Sequence, residues 1–92
     1  MSEYLESAKE AYEKIVELRK NNVNFDLDEI IAGSTIDNLK DYEIALNKAT
    51  KILQENNPEM FENEEAAREA AEAYFKLNDA TSQFANEFAA RE

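Results

Sequence analysis

Apolar side chains recur along this chain every third or fourth residue, the interval that lays a single stripe down one face of an α-helix. Between Ser2 and about Asn22 the stripe consists of Tyr4, Leu5, Ala8, Ala11, Tyr12, Ile15, Val16 and Leu18. This predicts a first helix. The Ser2 hydroxyl is placed to cap it, Lys20 suits the negative end of its dipole, and Asn21-Asn22 stops it. The interval then shortens to two at Val23, Phe25 and Leu27. No second alternating run offers a strand to pair with, so the segment reads as an extended connector whose apolar side chains tuck under the bundle.

Asp26-Leu27-Asp28-Glu29 has the acid-x-x-Glu spacing of a helix start and leads into Ile30, Ile31 and Ala32, one or two turns that Gly33 would close in a left-handed cap. Ser34-Thr35-Ile36-Asp37 then offers a fresh cap for a helix carrying Leu39, Tyr42, Leu46, Ala49 and Leu53 and running to about Gln54. Asn56-Asn57-Pro58 ends it, because the residue before proline is pushed out of the α region. Pro58 to Glu62 forms a short lead-in that presents Met60 and Phe61 to the core, and Asn63 caps the last and longest helix. Ala67, Ala70, Tyr74, Leu77, Thr81, Phe84 and Phe88 keep one alternation through it. If unbroken to the end it spans roughly 45 Å at 1.5 Å per residue; a break, if there is one, falls at Asn78-Asp79. The expected fold is all-α, a small bundle of three main helices with a short extra helix between the first and second long ones. The last helix is its spine, and residues 1–92 form a single domain.

Composition agrees. The 92 residues include one glycine, one proline and no cysteine, histidine or tryptophan, which removes the materials of disulfide frameworks, zinc sites, phosphate loops and tight hairpins. Hydrophobic residues make up 43%, enough for a modest core and too many for a disordered acidic tail. There is no run of 18 apolar residues, and Met1-Ser2-Glu3-Tyr4-Leu5-Glu6 lacks the basic flank of a secretory leader. The expected location is the cytoplasm, away from any membrane.

Charge changes the picture more. Twenty-one acidic residues against ten basic give a net charge of −11, so phosphate backbones and anionic lipids are repelled and direct nucleic-acid binding is disfavoured. The acid is uneven. Residues 58–92 hold nine acids against three bases, and within them Glu59, Glu62, Glu64, Glu65, Glu69 and Glu72 face only Arg68. Asp26, Asp28 and Glu29 form a second acidic run with no base among residues 23–33.

Chemistry is harder to build. Glu6 with Glu10, Glu13 with Glu17, and Glu65 with Glu69 stand four apart on helix faces, but bundle metal sites of the di-iron kind also need histidine. Asn24, Asp26 and Asp28 imitate the opening of a calcium loop, yet Glu29 stands where glycine is required and Thr35 where a bidentate glutamate belongs. Without a histidine base, a cysteine nucleophile or a glycine loop there is no catalytic constellation. The expectation is therefore a protein that is not an enzyme and has neither cofactor nor metal. Its acidic face, made of Glu59, Glu62, Glu64, Glu65, Glu69 and Glu72 with Asp26, Asp28 and Glu29, would dock on a basic protein surface and inhibit or regulate it. One such target is a nucleic-acid-handling enzyme, carboxylates standing in for phosphates. In size and charge, though in no motif, the chain resembles small acidic inhibitors encoded by phages. The alternative is an assembly protein that forms a homo-oligomer through rings projecting from the last helix, Tyr74, Phe84 and Phe88, with acid serving solubility alone.

Overall fold

The computed structural model describes residues 2–33 and 35–91, and the side chains of 6–33 and 35–90 among them. Five helices run through these residues: α1 (Ser2–Lys20), α2 (Leu27–Ala32), α3 (Leu39–Asn56), α4 (Glu64–Lys76) and α5 (Ser82–Arg91). The described residues contain no strand, and Val23 to Asp26 is the extended connector that the missing second strand implied. The all-α class holds, but the three main helices become four because the last one is broken.

Helix ends show which local signals dominate. The stop at Asn21-Asn22 is a left-handed cap in which Asn22 takes φ 58°, its N–H donates to the Arg19 carbonyl at 3.1 Å, and Val23 N–H donates to the Leu18 carbonyl at 3.1 Å. This is the pair of bonds that a glycine usually makes possible. Gly33, where that geometry was expected, instead has φ −88° and ψ 2°. Asp26 caps α2 as its spacing implied, accepting from the N–H groups of Asp28 and Glu29. For α3 the cap falls later than Ser34–Asp37: Asn38 accepts from Asp41 N–H at 2.9 Å, and Asp41 reaches back to Asp37 N–H at 3.2 Å. That near-reciprocal pair satisfies two orphan donors, which no single serine or threonine in this stretch would do. Ser34 and the Ser2 hydroxyl lie outside the described residues and side chains.

The core lies where α4 meets α3 and α1. Tyr42, Ala45, Leu46, Ala49 and Leu53 of α3 are buried against Ala67, Ala70, Ala71 and Phe75 of α4. Ala11 and Ile15 of α1 meet Ala73. Alanine on the inner face of α4 lets the backbones approach more closely than leucine would. Of the lead-in, Phe61 is buried as expected, whereas Met60 is 39% exposed. Asn57 closes α3 and ties down the connector: its Oδ1 accepts from Asn24 N–H at 2.9 Å and its Nδ2 donates to the Asn24 carbonyl at 3.1 Å.

The break after α4 follows from Asn78. Its side chain accepts from Ala80 N–H at 2.9 Å and its carbonyl accepts from Thr81 and Ser82 N–H, a local turn that competes with helix continuation. The buried Thr81 hydroxyl donates to the Phe75 carbonyl at 2.7 Å and fixes the return. A rod of roughly 45 Å would exceed the longest dimension of the fold, 35 Å. Broken, α5 folds back on α4 and α3.

Candidate protein-docking surface

An α-helix advances 100° per residue, so Ala67, Ala70, Ala71 and Phe75 fall on the inner arc of α4 while Glu65, Glu69, Glu72 and Lys76 fall on the outer one. Glu65 and Glu69 are exposed, as are Glu59, Glu62 and Glu64 in the turn and first helical residue ahead of them. Asn63 caps the helix by accepting from Glu65 N–H at 2.7 Å. Glu64 and Glu65 then sit in its first turn, where a negative charge complements the dipole. Glu59, Glu62 and Glu69 have no such local role.

Arg68 is the one base within 59–72, and the fold turns it toward α3 and α5. Its Nε lies 3.8 Å from Glu72 Oε1, its guanidinium donates to Asn47 Oδ1 at 3.4 Å, and it stands 5.7 Å from the centre of the Phe88 ring. Five carboxylates remain, those of Glu59, Glu62, Glu64, Glu65 and Glu69, with no ion-pair partner among the described residues. Their mutual repulsion is opposed only by water and salt. Glu69 and Glu72 also line a groove of about 290 Å³ with Glu10, Lys14 and Lys76, along one flank of the contact between α1 and α4. Its mixture of acids and lysines makes that end of the surface less negative than the end at Glu59–Glu65.

The second acidic run serves a helix end of its own. α2 packs on α3, and Asp26 and Glu29 line a different groove, of about 370 Å³, with Asn24, Ile30 and Lys48. Asp26 is spent on the α2 cap, and Asp28 and Glu29 occupy that helix's first turn. Capping explains all three without a partner. Glu59 lines a third depression with Asn57, Pro58 and Met60. Among the described residues no three acidic side chains converge as a metal site would require.

The aromatic residues proposed for assembly pack inward in part. Tyr74 lies 4.7 Å from Phe25, ring centre to ring centre. Phe88 lies 5.5 Å from Tyr42, and Phe84 packs half-buried against the core. The large apolar residues left outside are others: Tyr12 at 62%, Ile44 at 60%, Met60 at 39% and Leu77 at 38%. Tyr12, expected on the inner stripe of α1, is among them. Its position one residue beyond Ala11 puts it at the edge of the Ala11–Ile15–Leu18 line that is buried, a displacement visible on a helical wheel once that line is chosen.

Compared with known protein families, with curated proteins and with solved structures, the chain matches none. No described helix is long and apolar enough to cross a membrane.

Proposed function

We propose that this protein is a non-enzymatic binding module that docks the outer face of α4 and the turn before it on a basic protein surface, blocking or regulating its partner. The observation that carries this reading is the set of five exposed carboxylates, Glu59, Glu62, Glu64, Glu65 and Glu69, with no cation drawn to them from within the described residues. A complementary basic patch would relieve their repulsion and speed encounter by long-range steering. Asp26, Asp28 and Glu29 already serve the N-terminus of α2, so the reading rests first on the five glutamates of α4 and the turn before it. In its narrower form the partner is a nucleic-acid-handling enzyme whose phosphate-binding groove receives these carboxylates. Self-assembly through Tyr74, Phe84 and Phe88 draws less support, because all three rings have partners inside the fold.

The test is affinity capture from a cell lysate, followed by quantitative mass spectrometry, with the native chain and a variant carrying glutamine at the five positions. A specific partner should be retained at low salt and lost by tenfold or more with the variant and at about 0.5 M salt, where screening falls to a few ångströms. Capture indifferent to both changes refutes the reading.

A further inference from the structure

The contact between α1 and α4 has a second flank, and its chemistry is the reverse of the acidic one. On α1, Glu10 and Lys14 face one side of the buried Ala11–Ile15–Leu18 line; Tyr12, Val16 and Arg19 face the other. There, with Leu27, Tyr74 and Leu77, they line a groove of about 230 Å³. Tyr12 and Leu77 are among the most exposed large apolar side chains described, and both belong to it. No carboxylate lines it, although four other grooves each carry at least one. Its single charge is Arg19.

Arg19 is exposed and has no ion-pair partner among the described residues. The positions three and four residues away, where a helical partner would stand, are Ile15, Val16, Asn22 and Val23. Among the described bases only Arg68 is in an ion pair, so what marks Arg19 is its place, as the one charge on a groove also lined by Tyr12, Val16, Leu27 and Leu77. Favourable interaction with the α1 dipole accounts for a cation in the last turn, but Lys20 supplies the same charge outside the groove. Burial raises the Tyr74 hydroxyl above its ordinary value of 10.0, with Arg19 pulling the other way, so the phenol stays protonated and can donate beside the guanidinium.

We propose that this groove takes an amphipathic segment of a partner protein, with apolar side chains seated against Tyr12, Val16, Leu27 and Leu77 and a carboxylate on Arg19. The volume falls below the range of about 300–1,000 Å³ typical of small-molecule pockets and suits one or two side chains of a polypeptide. Charge decides the rest. A basic segment is repelled by Arg19, and a purely apolar one covers the guanidinium without replacing its water. An acidic side chain at the rim does neither, and Arg19 can hold it with two parallel hydrogen bonds. A second copy of this chain carries carboxylates too, but two molecules of charge −11 repel each other on approach.

The experiment is selection of displayed random 12-residue peptides on the immobilised full-length chain, with binding of the enriched peptides measured by fluorescence anisotropy. The expected consensus is two or three apolar residues at helical spacing with Asp or Glu beside them. Affinity for that consensus should fall about tenfold, or 1.4 kcal/mol, in Arg19→Glu and in the milder Arg19→Gln, and also in Leu77→Ser. Lys20→Glu, which changes the net charge as much as Arg19→Glu does, should leave it within twofold. Circular dichroism establishes that each variant is folded. The proposal is overturned by basic or featureless consensus sequences, by no enrichment, or by equal losses in Arg19→Glu and Lys20→Glu. It is also overturned by sedimentation equilibrium showing a dimer that Leu77→Ser dissociates, since the groove would then belong to a second copy.

Discussion

α4 and α5 share one heptad phase in the sequence, yet they are held by different means. α4 lies against α3 and α1 through Ala67, Ala70, Ala71 and Ala73, all nearly or wholly buried, and adds one wholly buried ring, Phe75. α5 contributes a single buried alanine, Ala85, and otherwise rests on the half-buried rings of Phe84 and Phe88. A helix seated on buried methyl groups has little slack, because a close-packed core leaves no room for larger ones. A helix held by rings at its edge can lift away with less lost. The same repeat of apolar positions therefore yields one helix built into the core and one laid over it.

The largest effect should come from removing the ring on which both depend. Phe75 is wholly buried, 5.3 Å from the Tyr42 ring, and Phe75→Ala should cost about 3–5 kcal/mol in urea unfolding. Phe88→Ala, at a half-buried ring, should cost clearly less; equal losses would mean that α5 is as deeply built in as α4. Next comes overpacking: Ala70→Leu should destabilise by about 1–3 kcal/mol, whereas Ala89→Leu, at an exposed site on α5, should stay within about 0.5 kcal/mol. The hinge is a smaller matter. Thr81→Val loses the bond to the Phe75 carbonyl, but that carbonyl keeps the Asn78 N–H at 3.3 Å, so a loss near 1 kcal/mol is expected. α5 amides should then exchange faster while those of α4 hardly change.

The smallest effect is a titration. Burial raises the Tyr74 pKa above 10.0, so the unfolded chain gives up this proton more readily than the folded one. Its share of stability is intact below pH 10 and is lost as pH rises through the folded value. Absorbance at alkaline pH should show a late-ionising component, and Tyr74→Phe should reduce it by one tyrosine's worth. A Tyr74 that ionises at the ordinary value would mean that its ring is less covered than in the fold described above.

Much of the local structure was legible because its bonds close within four residues. Asp26 and Asn63 cap helices where their spacing said they would, and Asn21-Asn22 ends α1. Segregation of charge into 59–72 needed only counting. Part of the site was legible too: the glutamates of α4 and its lead-in face outward as an amphipathic helix requires, and Asp26, Asp28 and Glu29 stand at the start of α2 as their spacing implied. Nothing in residues 59–72 announced that Arg68 would be drawn away to Asn47 and Phe88, which stand 21 and 20 positions distant in the chain.

By itself, then, the sequence determined an all-helical chain, most of its boundaries and an acidic C-terminal third, since periodicity, caps and composition act over one or two turns. Only the tertiary structure decided between a continuous last helix and a broken one, left Tyr12 and Leu77 in the open, and turned Phe84 and Phe88 toward the core. Those outcomes depend on which distant surfaces meet. A heptad repeat says which face of a helix is apolar, but only the packing of α3, α4 and α1 sets how much of that face is covered.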